Sequence, residues 1–172
     1  MVVLRLPREE EEQEFLHAYR AASIDTPTFA PYYETGMPFR RYLDLLTERE
    51  QGINPPSADH VPATILFAFV ESAIVGRASV RHALSPPLEK EGGHIGYVVV
   101  PEFRRRGYAT SILARSLEIA RDRFGIRRAL VTCDDGNVGS IRTIEKNGGI
   151  LQDVVPMGTK SIRRYWIATS SE

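Results

Sequence analysis

Apolar positions recur along this chain with two different periods. At Phe15, Ala18, Tyr19 and Ala22 they return every three or four residues opposite a charged face, which predicts a helix over Glu9 to Ala22. Its early glutamates suit a helix start, where the backbone dipole favours negative charge. Tyr42, Leu45 and Leu46 share one side of a second helix, Phe39 to Gln51. A third spans Ala109 to Phe124, with Ile112, Leu113, Ser116, Leu117 and Ala120 in one stripe and Arg115, Glu118 and Asp122 pointing away. Gly125 is a suitable stop for it. Asn137 is an N-cap candidate for a helix running to about Lys146, closed by Asn147-Gly148.

Strands are expected where apolar and β-branched residues run together. These are Val2 to Leu6, Ala63 to Val70, Ala73 to Ala83, His94 to Val100, Ala129 to Cys133, Ile150 to Val155 and Arg163 to Thr169. Glu71-Ser72 predicts a hairpin despite poor turn chemistry. Ser23 to Pro38, Gly52 to Pro62 and Ser85 to Gly93 are rich in proline or polar residues and are expected to be irregular. Asp134-Asp135-Gly136 reads as a turn. Hairpins come first and a strand–helix–strand crossover later. That order predicts a mixed α/β fold with a parallel, right-handed pair.

Composition narrows the setting. The chain has 172 residues, 42% apolar and 26% charged, with a formal net charge of zero. One domain over residues 1–172 is expected. Balanced charge argues against a nucleic-acid partner. No apolar run reaches membrane length, and the N-terminus lacks a signal-peptide pattern, so no membrane partner and a cytoplasmic location are expected. The single cysteine excludes an internal disulfide framework. The four histidines show no metal-ligand spacing, so no metal is expected.

The strongest chemical signal is Arg104-Arg105-Arg106-Gly107-Tyr108-Ala109, between the strand ending at Val100 and the helix that follows. An arginine run by itself is usually a solvated face. A glycine-containing basic turn that opens a helix is also a place to hold phosphate, because the first amides of a helix have no internal partner. Gly107 permits close backbone approach or a positive φ. No Gly-x-Gly-x-x-Gly or Gly-Lys-Ser/Thr loop is present, which disfavours a dinucleotide or NTP enzyme.

From Gly92 to Val155 the chain resembles the GNAT superfamily of acyl-CoA-dependent N-acyltransferases. That family's motif, Gln/Arg-x-x-Gly-x-Gly/Ala after a strand, matches Arg104 to Ala109. Asn137, a short helix and a glycine pair follow in the same order; residues 1 to 90 match only in the order of elements. The resemblance implies an α/β fold: a central mixed, mostly antiparallel sheet with a splayed parallel strand pair, flanked by helices. It implies acetyl-CoA as the acyl donor. The pantetheine arm would lie beside the backbone of Val98, Val99 and Val100. The pyrophosphate would sit on the amides of Arg105, Arg106, Gly107, Tyr108, Ala109 and Thr110, with Asn137 and Ser140 on the pantetheine side. Arg104 or Arg106 would add a charged contact, and Arg142 reads as an exposed helix residue. The acceptor would be a primary amine on a small molecule or a peptide, and a homodimer is among the assemblies implied.

Acyl transfer to an amine needs the amine deprotonated, the carbonyl oxygen stabilised and the thiolate protonated. His94 aligns with the glutamate that many relatives use as base or water relay, and the alternative is a packing role for its ring. Glu71 and Asp134 are other carboxylate candidates. The family's tyrosine acid is replaced by Ile144, which cannot donate a proton. Ser140, Tyr108 and Tyr165 remain as donors, and Ser140 joins His94 as a candidate catalytic residue. A non-catalytic acyl-CoA-binding module is the alternative reading. Cys133, Tyr165 and Trp166 read as strand packing. Phe29, Tyr32 and Tyr33 would either wall the acceptor site or pack locally. Asp134, Asp135 and the acidic first helix could attract a cationic amine.

Overall fold

The computed structural model describes residues 1–58 and 60–169. Asp59, in the loop expected over Gly52 to Pro62, lies outside the described residues. Strands β1 (Val3–Arg5), β2 (Ala63–Val70), β3 (Ala73–Arg81) and β4 (Ile95–Val99) form one antiparallel sheet in that order. Strands β5 (Arg128–Asp134), β6 (Ile150–Met157) and β7 (Lys160–Ala168) form a second, with β7 central.

Helices α1 (Glu12–Ser23) and α2 (Phe39–Glu50) pack on one face of the first sheet, where Phe67 meets Phe15 and Phe29. Helix α4 (Tyr108–Phe124) covers the other face through Ile112, beside Ala68, Val75 and Ala78. Coverage on both sides explains why β2 is a continuous apolar run rather than an alternating one. Helix α5 (Val138–Lys146) closes the second sheet, with Ile144 in the core beside Leu113 and Tyr165.

Local chemistry moves some boundaries. The glutamates at the start of the first predicted helix form a separate 3₁₀ turn, Glu9–Glu11, because Glu11 is drawn to Arg5 at 2.6 Å and to the Arg8 amide at 2.7 Å. The connection expected to be irregular holds a short helix, α3 (Pro86–Lys90), whose prolines occupy first-turn positions that need no amide donor. The β2–β3 hairpin closes with Glu71 in the left-handed region, φ 55.

The crossover through α4 sets β4 and β5 side by side as the facing edges of the two sheets. No ladder joins them among the described residues. They meet at one end, where the His94 amide donates to the Leu130 carbonyl oxygen at 2.7 Å and the Leu130 amide donates to His94 Nδ1 at 2.9 Å. Gly93 makes this approach possible: its φ is +62, and a Cβ there would lie 2.3 Å from the Leu130 oxygen. The expected mixed, mostly antiparallel α/β architecture is thus present, its two antiparallel halves meeting around His94–Leu130 and Gly92–Thr132, and β4 and β5 splay apart beyond that junction. No helix among the described residues is long and apolar enough to cross a membrane.

Candidate active site

The splay opens into a cleft of about 600 Å³ lined by β4, the basic turn, the start of α4 and the start of α5. The turn leaves Val100, passes a 3₁₀ segment, Pro101–Phe103, and enters α4 through Gly107 at φ 83 and ψ −1. Arg105 is also left-handed, at φ 63. A side chain at such a φ costs roughly 1 kcal/mol, so the turn is held in shape by its surroundings. Among the described residues no protein acceptor takes the amides of Arg105, Arg106, Gly107, Tyr108, Ala109 or Thr110. The first such bond of the helix runs from the Ser111 amide to the Gly107 oxygen at 3.3 Å. Unpartnered amides at a helix start form an anion seat.

Across the cleft, Asn137 caps α5 by accepting from the Ser140 amide at 3.0 Å. The cap fixes Asn137 Oδ1 and leaves its Nδ2 without a partner among the described residues. Of the residues expected to meet the coenzyme, Val98, Val99, Arg105, Gly107, Tyr108, Ala109, Thr110, Asn137 and Ser140 line this cleft. Val100 and Arg106 do not. Val100 is fully buried, its amide donating to the Val75 oxygen at 3.0 Å and its carbonyl accepting from Phe103 at 2.9 Å. The Arg106 guanidinium lies 5.5 Å over the Phe103 ring. Arg104 is also committed. It grips Asp25 with two bonds of 2.5 and 2.9 Å, holding that carboxyl below its ordinary pKa, and donates to the Val99 oxygen at 3.1 Å. Arg142 is exposed, as its helix position implied.

Toward the start of β4 the cleft continues into an inner chamber of about 460 Å³, sharing Tyr97, Asn137 and Ser140 with it. Tyr97 reaches from β4 across the gap, its hydroxyl donating to the Ser140 carbonyl oxygen at 3.4 Å. Burial pushes its pKa up to about 12, which keeps the proton on. Nothing in the sequence distinguishes Tyr97, because an aromatic inside an apolar strand looks like packing. Ile144, at the family's tyrosine position, is fully buried, so that position turns into the core here. Tyr165 is also core, 1% exposed and hydrogen-bonded to Glu145 at 3.3 Å, which takes it out of the candidate acids. Cys133 faces the chamber rather than packing alone, and burial raises its thiol to about 11.

His94 lines neither the cleft nor the chamber. It is 8% exposed, and its Nδ1 lone pair is spent on the Leu130 amide. In that arrangement the neutral ring carries its proton on Nε2, so taking another breaks the Leu130 bond. Burial and the nearby Arg81 both hold its pKa down. The geometry is that of a clip between sheets rather than a base facing a substrate.

The chamber opens in turn on a third cavity of about 500 Å³, sharing Thr28 and Arg81 with it. Its floor is one face of β2 and β3: Ala63, Ile65, Arg77, Ser79 and Arg81. Tyr32, His60 and the start of α3 form its walls. Of the three loop aromatics, Tyr32 alone lines it. Phe29 is fully buried, and Tyr33 packs edge-on against Phe15, Tyr19 and Tyr42.

Residues 2–150 match a family model described as the acetyltransferase (GNAT) domain. An uncharacterized N-acetyltransferase of Bacillus subtilis (strain 168), YnaD, is 28% identical over 82 residues, which are 45% of this chain and 48% of that protein. The aligned part therefore spans about half the length of this curated relative. Among solved structures, the RimL ribosomal L7/L12 alpha-N-protein acetyltransferase in complex with coenzyme A superposes with a TM-score of 0.69 at 14% identity, covering 97% of this chain and 93% of that one. The microcin C7 self-immunity acetyltransferase MccE, in complex with acetyl-CoA and AMP, gives 0.67 at 16% identity, covering 97% and 92%. An N-acetyltransferase from Staphylococcus aureus Mu50 gives 0.64 at 16% identity, covering 99% of both chains. At these identities the superpositions show a shared fold.

Proposed function

This chain belongs to the GNAT acetyltransferase family, and on that premise we propose that it transfers an acetyl group from acetyl-CoA to a primary amine by direct attack in a ternary complex. The observation that carries the reading is the run of unpartnered amides from Arg105 to Thr110, set at the mouth of a cleft that leads past Asn137 into an inner chamber.

The residues present fit the coenzyme. The amides of Arg105 to Thr110 would hold its diphosphate, and the Asn137 Nδ2 would be free to donate to a carbonyl oxygen of the pantetheine arm. Acetyl-CoA supplies, when bound, the thioester carbonyl that the amine attacks. The Tyr97 hydroxyl would give its proton to the departing sulfur and recover one from the attacking nitrogen as the amide forms, so that no net proton is lost, taking the place of the tyrosine that Ile144 replaces. The Ser140 hydroxyl lines the same stretch and is the second donor. Burial keeps Cys133 a thiol, a weaker nucleophile than a thiolate, which supports direct transfer rather than an acyl-enzyme. The Arg81 guanidinium bordering the chamber favours the neutral amine, lowering the need for a dedicated base, and the two carboxylates that line the chamber, Glu91 and Asp134, are both paired with Lys160. His94 serves as a positioning residue that keeps β4 and β5 together at the closed end of the gap.

The test is calorimetric titration with acetyl-CoA beside a thiol-release assay over a panel of amines. Binding with turnover on at least one amine supports the reading. Binding without turnover on any amine turns it into a non-catalytic acyl-CoA-binding module. Absence of binding removes both.

A further inference from the structure

The third cavity is floored by an unusual stripe. Residues 77, 79 and 81 point to the same face of β3 by strand alternation, and they are Arg, Ser and Arg. Such a stripe normally faces water. Here the segments carrying Thr28, Tyr32 and His60 cover it, and Arg77 is only 8% exposed. Burying a guanidinium is costly unless it is paired. Among the described residues neither arginine is bonded to a carboxylate. Arg77 donates through Nε to the Phe29 oxygen at 3.0 Å and through Nη2 to the Thr28 oxygen at 2.8 Å. Arg81 donates through Nη1 to the Gly92 and Gly93 oxygens at 3.0 and 3.1 Å. Carbonyl oxygens thus orient both side chains and satisfy part of each five-donor fork, but no charge answers either one.

We propose that this cavity binds the anionic group, a carboxylate or a phosphate, of the amine acceptor, with Arg77 and Arg81 as its counter-ions and specificity determinants. The inference rests on the acetyl-transfer reading, because Arg81 also borders the chamber where the amine meets the thioester. The acceptor is then a zwitterion-type molecule: its amine lies in the chamber and its anion lies on the β3 stripe. Ser79, Ser57 and Ser85 line the same cavity and supply hydroxyls for the remaining anion oxygens. Burial depresses both guanidinium pKa values, Arg77 to about 10, a penalty that a bound anion relieves.

The acidic residues that could attract a cationic amine are largely answered within the protein. Asp134 meets Lys160 at 3.2 Å, Asp135 meets Arg163 at 2.5 Å, and Glu9 and Glu11 meet Arg40 and Arg5 at 3.1 and 2.6 Å.

The experiment has a binding arm and a turnover arm. In the first, arginine Nε–H resonances of the whole chain are followed by NMR during titration with N-acetylalanine, with ethyl phosphate, which carries no carboxylate, and with N-acetylalanine amide as the neutral twin. The expected result is movement of the Arg77 and Arg81 resonances with one or both anions, at least about tenfold tighter than with the amide. Whether the carboxylate or the phosphate binds more tightly identifies the anion. Equal response to the amide, or none to either anion, overturns the proposal. Arg81→Gln should erase the preference; Arg77→Lys, which keeps the charge, serves where removing Arg77 unfolds the chain. In the second arm, alanine is compared with alaninamide, and ethanolamine phosphate with ethanolamine, as acceptors. Anion binding at the arginines with no amine acetylated sinks the transferase reading and leaves this site standing. Equal turnover of charged and neutral partners sinks this site and leaves the transferase.

Discussion

Gly107 and Tyr97 show how much of the chemistry hangs on single backbone and side-chain positions. At φ 83 Gly107 sits where an L residue is strained, and a Cβ there meets nothing within 4 Å on the protein side, so it would project into the space beside the anion seat. Gly107→Val is expected to weaken acetyl-CoA binding by at least about 100-fold, combining left-handed strain with lost amide approach. Calorimetric titration of a variant with unchanged circular dichroism checks this, and unaltered affinity removes the turn from the binding site. The motif made this glycine legible beforehand. Tyr97 was not, because period-two alternation says which face of a strand a residue takes but not that the sheet ends there in a gap. Tyr97→Phe should lower kcat about 100-fold while the KM for acetyl-CoA changes little, since the hydroxyl is needed only as sulfur departs. Steady-state kinetics decide it, and an unchanged kcat returns the role to Ser140.

Among elements, those read from strong periodicity came out in place: β2 matches its expected Ala63–Val70 span, and α5 begins after Asn137 as the cap implied. The misplaced ones depend on side chains that reach outside their own segment. Glu11, drawn to Arg5 and Arg8, splits the first helix, and two prolines nucleate α3 where punctuation suggested a loop. The join between β4 and β5 was illegible for the same reason, since an imidazole stands in for a backbone acceptor. His94→Ala leaves the buried Leu130 amide unanswered and is expected to cost about 2–4 kcal/mol. His94→Asn, whose Oδ1 can replace Nδ1, should recover most of it, and turnover that survives in His94→Asn shows the ring is not the base. The pH sign follows from burial. The folded pKa of His94 lies below its ordinary 6.5, so its contribution is whole above that value and is lost as pH falls through the folded pKa. His60 and His82 shift the same way, so denaturant unfolding at pH 7.5 and 5.5 should show a wild-type loss that His94→Asn reduces without abolishing.

At the scale of the whole molecule, the protein is two sheets linked by α4, by the His94–Leu130 pair and by bonds such as Gly92 to Thr132 and Tyr97 to Ser140, with a cleft and a chamber along the seam and a third cavity opening beside them on the first sheet. Composition gave no hint of the arginine-floored cavity, because net charge sums over the chain and hides a local excess that loops have buried. Coenzyme binding, by contrast, would engage both halves at once. The cleft takes Val98, Val99 and the turn from the first half and Asn137, Gly139 and Ser140 from the second. A ligand that touches both must protect both. At one hundred times its Kd, acetyl-CoA should stabilise the fold by about 2.7 kcal/mol, which raises Tm by roughly 2–4 °C per kcal/mol at this chain length. Hydrogen exchange sharpens the test. Slowing should appear in the amides of Arg105 to Thr110, which have no internal partner to slow them otherwise, and also in α5 across the seam. Slowing confined to the turn would mean that the diphosphate binds without the arm entering the gap, and the sulfur would then be nowhere near Tyr97.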